Sequence, residues 1–395
     1  MAARNLLSYS ACLFVLMLAM SCQDQQLEST KSQVYLDLPA QRFQYNNFND
    51  TSNAIATLGR VLFYDKSLSV NSTIACGSCH KQSYGFADNK AFSTGFGGRV
   101  TTRNSMPVQN LAGSGGGVIF FDPGFGQIAQ PQGHLFWDGR EASLDKLVLQ
   151  PIGNHIEMGV ADAETLTNNL TAKPYYMTLF NDAFGSSEIT TDRISAALSL
   201  FCASINTNNT RFDQFNQTRF TPKEITNEDG SVTVTNQASQ TVLNPLEVEG
   251  MFLFTQKYDC NSCHNVQTPN GYLFTGTFAN IGLDKEYTDP GRQTVTGFAS
   301  DNGRFKIPSL RNVAYTGPYM HDGRFGTLEE VLQHYSEGII DTPGLDPKLK
   351  DEGGHARSMN ISEHESQAII AFLHTLSDQS VLTDPKFSDP FKVKQ

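Results

Sequence analysis

Cys76-Gly77-Ser78-Cys79-His80 and Cys260-Asn261-Ser262-Cys263-His264 decide how this chain is read. Each holds two cysteines separated by two residues, with a histidine directly after the second. That is the spacing of a covalent c-type haem site, in which two thiols add to the porphyrin vinyl groups and the adjacent imidazole is placed to ligate the iron. Two short disulfides or a zinc site would also use the cysteines. Neither accounts for the two histidines, and the pairs stand too far apart for a zinc ribbon. The cofactor expectation is two covalently bound haem c groups.

The remaining cysteines are Cys12, Cys22 and Cys202 among seven in 395 residues. Cys12 and Cys22 belong to a segment that runs from Arg4 through the apolar Leu13 to Met20 and ends in Ser21, Cys22 and the polar Gln23. This reads as an export signal, because its apolar part is shorter than the ~20 residues that span a bilayer. A cysteine after small residues at that point resembles a bacterial lipobox. Residues 1–22 are therefore expected to be a lipoprotein-type signal peptide, and Cys22 a lipid anchor that holds the chain in the periplasm. Ordinary cleavage, leaving a soluble periplasmic protein, is the alternative. Cys202, on an apolar helix face, is expected to be a buried free thiol.

A composition of 39% hydrophobic and 17% charged residues, with 32 Gly and 16 Pro, is that of a globular protein and excludes disorder and collagen. A net charge of -11, from 29 Lys+Arg against 40 Asp+Glu, argues against a nucleic-acid partner and suits a cationic small protein. Helix signals recur while alternating strand patterns are scarce, so the fold class is mostly α. Ile194, Ala197, Leu198 and Phe201 share one helical face after the cap candidates Thr190 and Thr191. Ser362 with Glu365, and Thr327 with Glu330, form capping boxes. Asn206 to Gln240, polar and carrying Asp229-Gly230, reads as a linker or surface excursion, and Gly113 to Gly117 as a loop. The expected division is an N-terminal linker at 23–45 and two cytochrome-c-like haem domains, 46–205 and 206–395, with an interface between them.

The landmarks Leu58-Gly59-Arg60 to Leu68-Ser69, the first haem motif, Arg103-Asn104, Phe136-Trp137-Asp138-Gly139-Arg140, Glu157-Met158-Gly159, the second haem motif and Pro308 to Arg324 resemble those of the bacterial di-haem cytochrome c peroxidase and MauG family, in the family's order. The resemblance implies an N-terminal haem, ligated by His80, that meets hydrogen peroxide, and a C-terminal haem, ligated by His264, that passes electrons to it. Glu157 matches the family glutamate over the first haem, where it would move a proton between the peroxide oxygens. A solvated helix-start carboxylate is the bland alternative. A family glutamine ten residues before it is Leu147 here, and the nearby Gln150 is offset. Many relatives hold a histidine on the first iron, but the loop Ser93 to Gly98 puts Phe96 at that place, so this site is expected to be reactive without prior reduction.

Trp137, the only tryptophan, matches the family's electron relay between the haems; core packing is the alternative. Tyr335 occupies the position at which peroxidases carry a methionine as sixth ligand of the second haem, and at which MauG has tyrosine. It shares a face with Leu328, Val331 and Leu332, so packing stays open, as do Met320 and His334 as ligands. A phenolate oxygen favours oxidised iron, whereas methionine sulfur raises the potential. His321 is expected to meet a propionate of the second haem or pack beside it. The resemblance also implies a calcium ion held by Asn104 and the carbonyls of Thr316 and Pro318. His134, His155, His355, His364 and His374 read as surface or packing residues.

Three functions follow as expectations. One is an exported peroxidase served by a small c-type cytochrome or cupredoxin. Another is a MauG-like oxidase of residues in a partner protein, and the third a purely electron-carrying di-haem cytochrome. A homodimer is compatible with each.

Overall fold

A computed structural model describes residues 34–38, 43, 50–111, 118–122, 126–130, 132–219, 223–226, 232–235, 242–266 and 277–393. The signal segment with Cys22, the Gly113 to Gly117 run and Asp229-Gly230 lie outside the described residues. The longer helices are α1 (Asp50–Tyr64), α2 (Ala163–Thr171), α3 (Pro174–Phe184), α4 (Thr191–Ser204), α5 (Arg211–Arg219), α6 (Pro245–Phe252), α7 (Leu328–Gln333) and α8 (Glu363–His374). The fold is mostly α, as composition and capping signals indicate.

Two glycines set the helix crossings. A Cβ on Gly59 of α1 would lie 1.9 Å from the carbonyl oxygen of Ala197 in α4. Likewise a Cβ on Gly250 of α6 would lie 1.8 Å from that of Ala368 in α8. Only glycine lets the backbones approach so closely. Around the first crossing Ile55, Leu58, Leu62 and Phe63 bury against Leu198 and Phe201, with the Phe63 and Phe201 rings 5.1 Å apart. Around the second, Phe254, Leu328, Leu332, Ile369, Phe372 and Leu373 form a separate core cluster. The result is two cytochrome-c-like helical halves.

The caps sit where the sequence places them. Thr190 accepts from Arg193 N at the start of α4, and the reciprocal boxes Thr327/Glu330 and Ser362/Glu365 open α7 and α8. Asn244 and Glu247 add a further box at α6.

One expectation needs correction. The stretch Asn206 to Gln240 is not simply a linker, because it contains α5 and a hairpin of Lys223–Thr226 with Val232–Thr235. Phe212 and Phe215 of α5 are buried in the second core cluster, and this burial outweighs the polar composition around them.

Among the described residues all strand pairing is two-stranded and antiparallel. The described residues from Leu38 to Asp389 form one compact unit. Within it the halves are joined by buried hydrogen bonds, Gln109 Nε2 donating to Arg311 O at 2.9 Å and Asn312 Nδ2 to Gln109 Oε1 at 3.0 Å. Of the described residues, Val34–Asp37 and Pro390–Val393 form a second unit, in which Val34–Leu36 pairs with Phe391–Val393. Among the described residues no helix is long and apolar enough to cross a membrane.

Candidate functional site

Cys76–Cys79 is a single helical turn that follows α1 closely. Gly77 packs so tightly on the Tyr64 ring that a Cβ there would come within 2.6 Å of it. His80 caps the turn, and its Nδ1 lies 3.0 Å from the carbonyl oxygen of Phe86. A carbonyl can only accept, so Nδ1 carries the hydrogen and the lone pair of the neutral ring is on Nε2, the tautomer of a metal-ligating imidazole. Burial lowers the His80 pKa and keeps the ring neutral, as ligation requires. Both thiols are free, and burial pushes the Cys76 thiol up to about 12.

Glu157 is brought to this motif: its negative charge adds to the rise of the thiol pKa at both Cys76 and Cys79. The carboxyl itself is raised above the ordinary glutamate range by burial, an effect that the positive charge of Arg140 partly offsets. Asn154 fixes its position. The Asn154 carbonyl accepts from the backbone N–H groups of Glu157, Met158 and Gly159, and Asn154 Nδ2 donates to Glu157 Oε1 at 3.1 Å. The Phe96 loop locks onto this turn through Phe96 N to Glu157 O at 3.0 Å. Gly159 has φ +71°, and a Cβ there would sit 2.2 Å from the Phe96 ring, which also carries the Arg99 guanidinium at 4.2 Å. Leu147 is half-buried, and Gln150 is occupied by Glu141 at 2.8 Å.

The loop around Trp137 is clamped from several directions. Phe136 and Gly139 take φ of +66° and +65°, and a Cβ on Gly139 would lie 2.3 Å from the Phe278 ring, so glycine is required there twice over. The buried indole donates from Nε1 to Asn104 O at 2.9 Å, and the Trp137 carbonyl accepts from Lys306 N at 2.8 Å. Arg103 forks onto Asp289 at 2.7 and 2.8 Å and reaches Asp138 at 2.6 Å, while Arg292 donates to the Asp138 and Gly139 carbonyls. Asn104 N in turn donates to His321 O at 2.7 Å. The His321 ring is buried and stacks on Phe305 with centroids 3.7 Å apart.

The second motif repeats the first. His264 Nδ1 lies 3.1 Å from Pro308 O, burial lowers the ring to about 4, and burial pushes the Cys260 thiol up to about 12. Tyr335 is brought here: it sits in the π-helical turn His334–Gly338 that continues α7, a distortion frequent at functional sites. Its phenol pKa is raised by burial first and then by the charges of Cys260 and Cys263. His334 is turned away, with Nε2 3.0 Å from Ile281 O. Met320 lies in a tight loop at φ +73°.

Of the calcium candidates, Thr316 precedes the cis Gly317-Pro318 bond and Pro318 is part of it, and the Asn104 amide nitrogen is held by Lys90 O and Ala91 O. Among the described residues no three His, Cys, Asp or Glu side chains converge as a metal site. His134, His155, His355, His364 and His374 are exposed, and Cys202 is buried. Sequence patterns gave no signal for Asn154, for the charge of Arg140 at Glu157 or for the Arg103 clamp, since each acts through contacts that spacing does not encode.

Unbridged thiol pairs and neutral imidazoles with Nδ1 engaged fit covalent haem at both motifs. The family described as di-haem cytochrome c peroxidase matches residues 53–221. The chain is 31% identical over 334 residues to the methylamine utilization protein MauG of Methylorubrum extorquens, covering 83% of this chain and 80% of that one. It is also 31% identical over 327 residues to the cytochrome c551 peroxidase of Nitrosomonas europaea, covering 82% and 80%. A crystal structure of a MauG-like protein associated with microbial copper homeostasis superposes with a TM-score of 0.65 at 30% identity, covering 90% of this chain and 98% of that one. The duplicated cradle and these relatives agree, and the chain belongs to the di-haem cytochrome c peroxidase and MauG family.

Proposed function

We propose that this chain is an exported di-haem peroxidase that reduces hydrogen peroxide to water with electrons from a small c-type cytochrome or cupredoxin. The observation that carries the reading is Glu157: a half-buried carboxyl near Cys76 and Cys79, raised in pKa by burial and fixed by Asn154. When bound, the haem held by Cys76, Cys79 and His80 supplies an iron that accepts oxidising equivalents from peroxide. With that haem in place, Glu157 would take the proton from one oxygen of hydrogen peroxide and return it to the other, which already carries its own hydrogen and so can depart as water. Phe96 carries no ligand atom, which supports a first site that needs no prior reduction.

Cys260, Cys263 and His264 would hold the second haem, through which electrons would enter, and Tyr335 is the side chain that would tune it. Trp137 would pass them on, its indole N–H kept on Asn104 O while the ring gives and regains an electron. His321 supports the second site through its stack on Phe305. The same reading includes haem domains at 46–205 and 206–395, calcium at Asn104, Thr316 and Pro318, and a periplasmic chain anchored at Cys22. A protein-modifying oxidase is the second reading, favoured by Tyr335, because a phenolate would store oxidising power where a methionine would favour reduction.

Stoichiometric hydrogen peroxide added to the purified oxidised protein, without reductant, tests the proposal by stopped-flow absorption. A rapid haem spectral change followed by steady turnover with a reduced small cytochrome is expected. No change until the second haem is reduced would overturn the open first site. A rapid change with sluggish donor turnover would favour the protein-modifying oxidase.

A further inference from the structure

Asp65 directly follows α1, and its buried carboxylate is shared by four donors. Oδ1 accepts from Ser67 N at 2.8 Å and from Ser67 Oγ at 2.5 Å. Oδ2 accepts from the Tyr176 hydroxyl at 2.7 Å and from the Tyr175 hydroxyl at 2.8 Å. Both tyrosines belong to the first turn of α3, and their ring centroids lie 4.8 Å apart. Tyr176 is 0% exposed, while Tyr175 is half-buried and reaches the surface. The inner end adjoins the first haem site: Tyr64, next to Asp65, packs on Gly77 between the two anchoring cysteines.

A phenol that keeps its proton is hard to oxidise, because the radical cation is a strong acid. A buried tyrosine therefore gives up an electron only where a base takes the hydroxyl proton. Asp65 Oδ2 is such a base, and it serves an inner and an outer phenol at once.

We propose that Tyr176, Asp65 and Tyr175 form an exit route that carries oxidising equivalents from the first haem to the protein surface when no donor protein quenches them. The route rests on the peroxide reading above, which supplies the oxidant. In the first step an electron leaves Tyr176 for the peroxide-oxidised first site and its hydroxyl proton moves to Asp65 Oδ2, leaving a neutral tyrosyl radical and a neutral carboxyl group. In the second, an electron passes from Tyr175 to that radical. The Asp65 proton returns to the Tyr176 oxygen, and the Tyr175 proton takes its place. The radical now sits on the half-exposed ring, where a soluble one-electron reductant restores the phenol as Asp65 hands the proton back.

The test gives the purified di-haem protein one equivalent of hydrogen peroxide, no protein donor and a nitroso spin trap. Haem absorption is followed and adducts are located by peptide mass spectrometry. An adduct on Tyr175 is expected. Tyr176→Phe keeps the ring and Tyr175 itself, yet should lower the Tyr175 adduct by about tenfold, a barrier increase of roughly 1.4 kcal/mol. Asp65→Asn should act in the same direction, and the melting transition of each variant establishes that it is folded. An undiminished Tyr175 adduct in folded Tyr176→Phe overturns the route, whatever Asp65→Asn does. A full haem response with no Tyr175 adduct in the unmodified chain overturns the route and leaves the peroxide reading standing. A haem spectrum that ignores peroxide overturns both.

Discussion

Around Cys76–His80 and around Cys260–His264 the chain builds the same cradle. A helix pair crosses at a glycine, Gly59 in one half and Gly250 in the other. Each histidine turns Nδ1 to a backbone carbonyl, Phe86 or Pro308, and each thiol pair lies deep enough to be pushed up in pKa. The halves differ in the titratable side chain brought to each motif. The first has Glu157, a carboxyl held by Asn154, raised in pKa by burial and partly lowered again by Arg140. The second has Tyr335, a phenol that burial keeps from ionising by itself. Attachment is thus common to both halves, while the proposed function assigns the division of labour to one residue in each: proton transfer to Glu157 in the first, storage or relay of charge to Tyr335 in the second.

The largest break in that comparison is Glu157→Gln. The amide keeps the shape but cannot accept a proton, so peroxide reduction should fall by about 10²–10⁴-fold. The spectrum and potential of the second haem should stay unchanged. Stopped-flow peroxide kinetics check this, and a loss below tenfold would assign the proton transfer to another group.

Tyr335→Met is next in size and tests the second half. If the phenol ligates iron, exchanging oxygen for thioether sulfur should raise the second haem's potential by on the order of 0.1 V or more, given the span that axial ligands command. A spectroelectrochemical titration reads the shift. An unchanged potential would reduce Tyr335 to a packing residue beside Leu328 and Leu332.

The haem motifs, the capping boxes and the mostly α architecture were legible because each is local: a few residues at fixed spacing carry the whole physical reason. Asn206 to Gln240 departs from a linker or surface excursion at α5, because two apolar residues in a mostly polar stretch, Phe212 and Phe215, pack that helix into the core. The Asp65 carboxylate lies more than a hundred positions from the two tyrosines that share it, and Arg103 is further still from Asp289. Contacts of that separation leave no periodic trace. The resemblance to a family could place Glu157 and Tyr335 near their motifs, but the π-helical turn that presents Tyr335 is a property of the folded backbone.

The glycine crossings allow each half to be perturbed alone. Gly59→Ala and Gly250→Ala would put a methyl within 1.9 and 1.8 Å of a carbonyl oxygen. Backbone cannot swing aside as a flexible side chain does, so each should cost roughly 1–3 kcal/mol or more. Thermal unfolding monitored at the haem absorption of each site should show Gly59→Ala loosening the first site and Gly250→Ala the second. Equal loss at both sites in either variant would mean that the bonds from Gln109 to Arg311 and Asn312 make the halves unfold together.

The smallest expected effect concerns the pH dependence of the first site. If Glu157 accepts the peroxide proton as a carboxylate, peroxide reduction should decline as pH falls through its pKa, which burial raises and Arg140 partly lowers again. Arg140→Gln removes the lowering charge, and the acid limb should move up by less than about one pH unit, as expected of a single screened charge. Arg140 also donates to Asp138 at 3.1 Å and stacks over the Phe136 ring at 3.5 Å, so its loss could disturb the Trp137 loop as well. Arg140→Lys separates the two effects, for it keeps the charge but loses the planar fork. A limb restored by lysine belongs to electrostatics at Glu157. A limb that stays shifted with lysine belongs to the loop, and in Glu157→Gln neither substitution at 140 should move a limb at all.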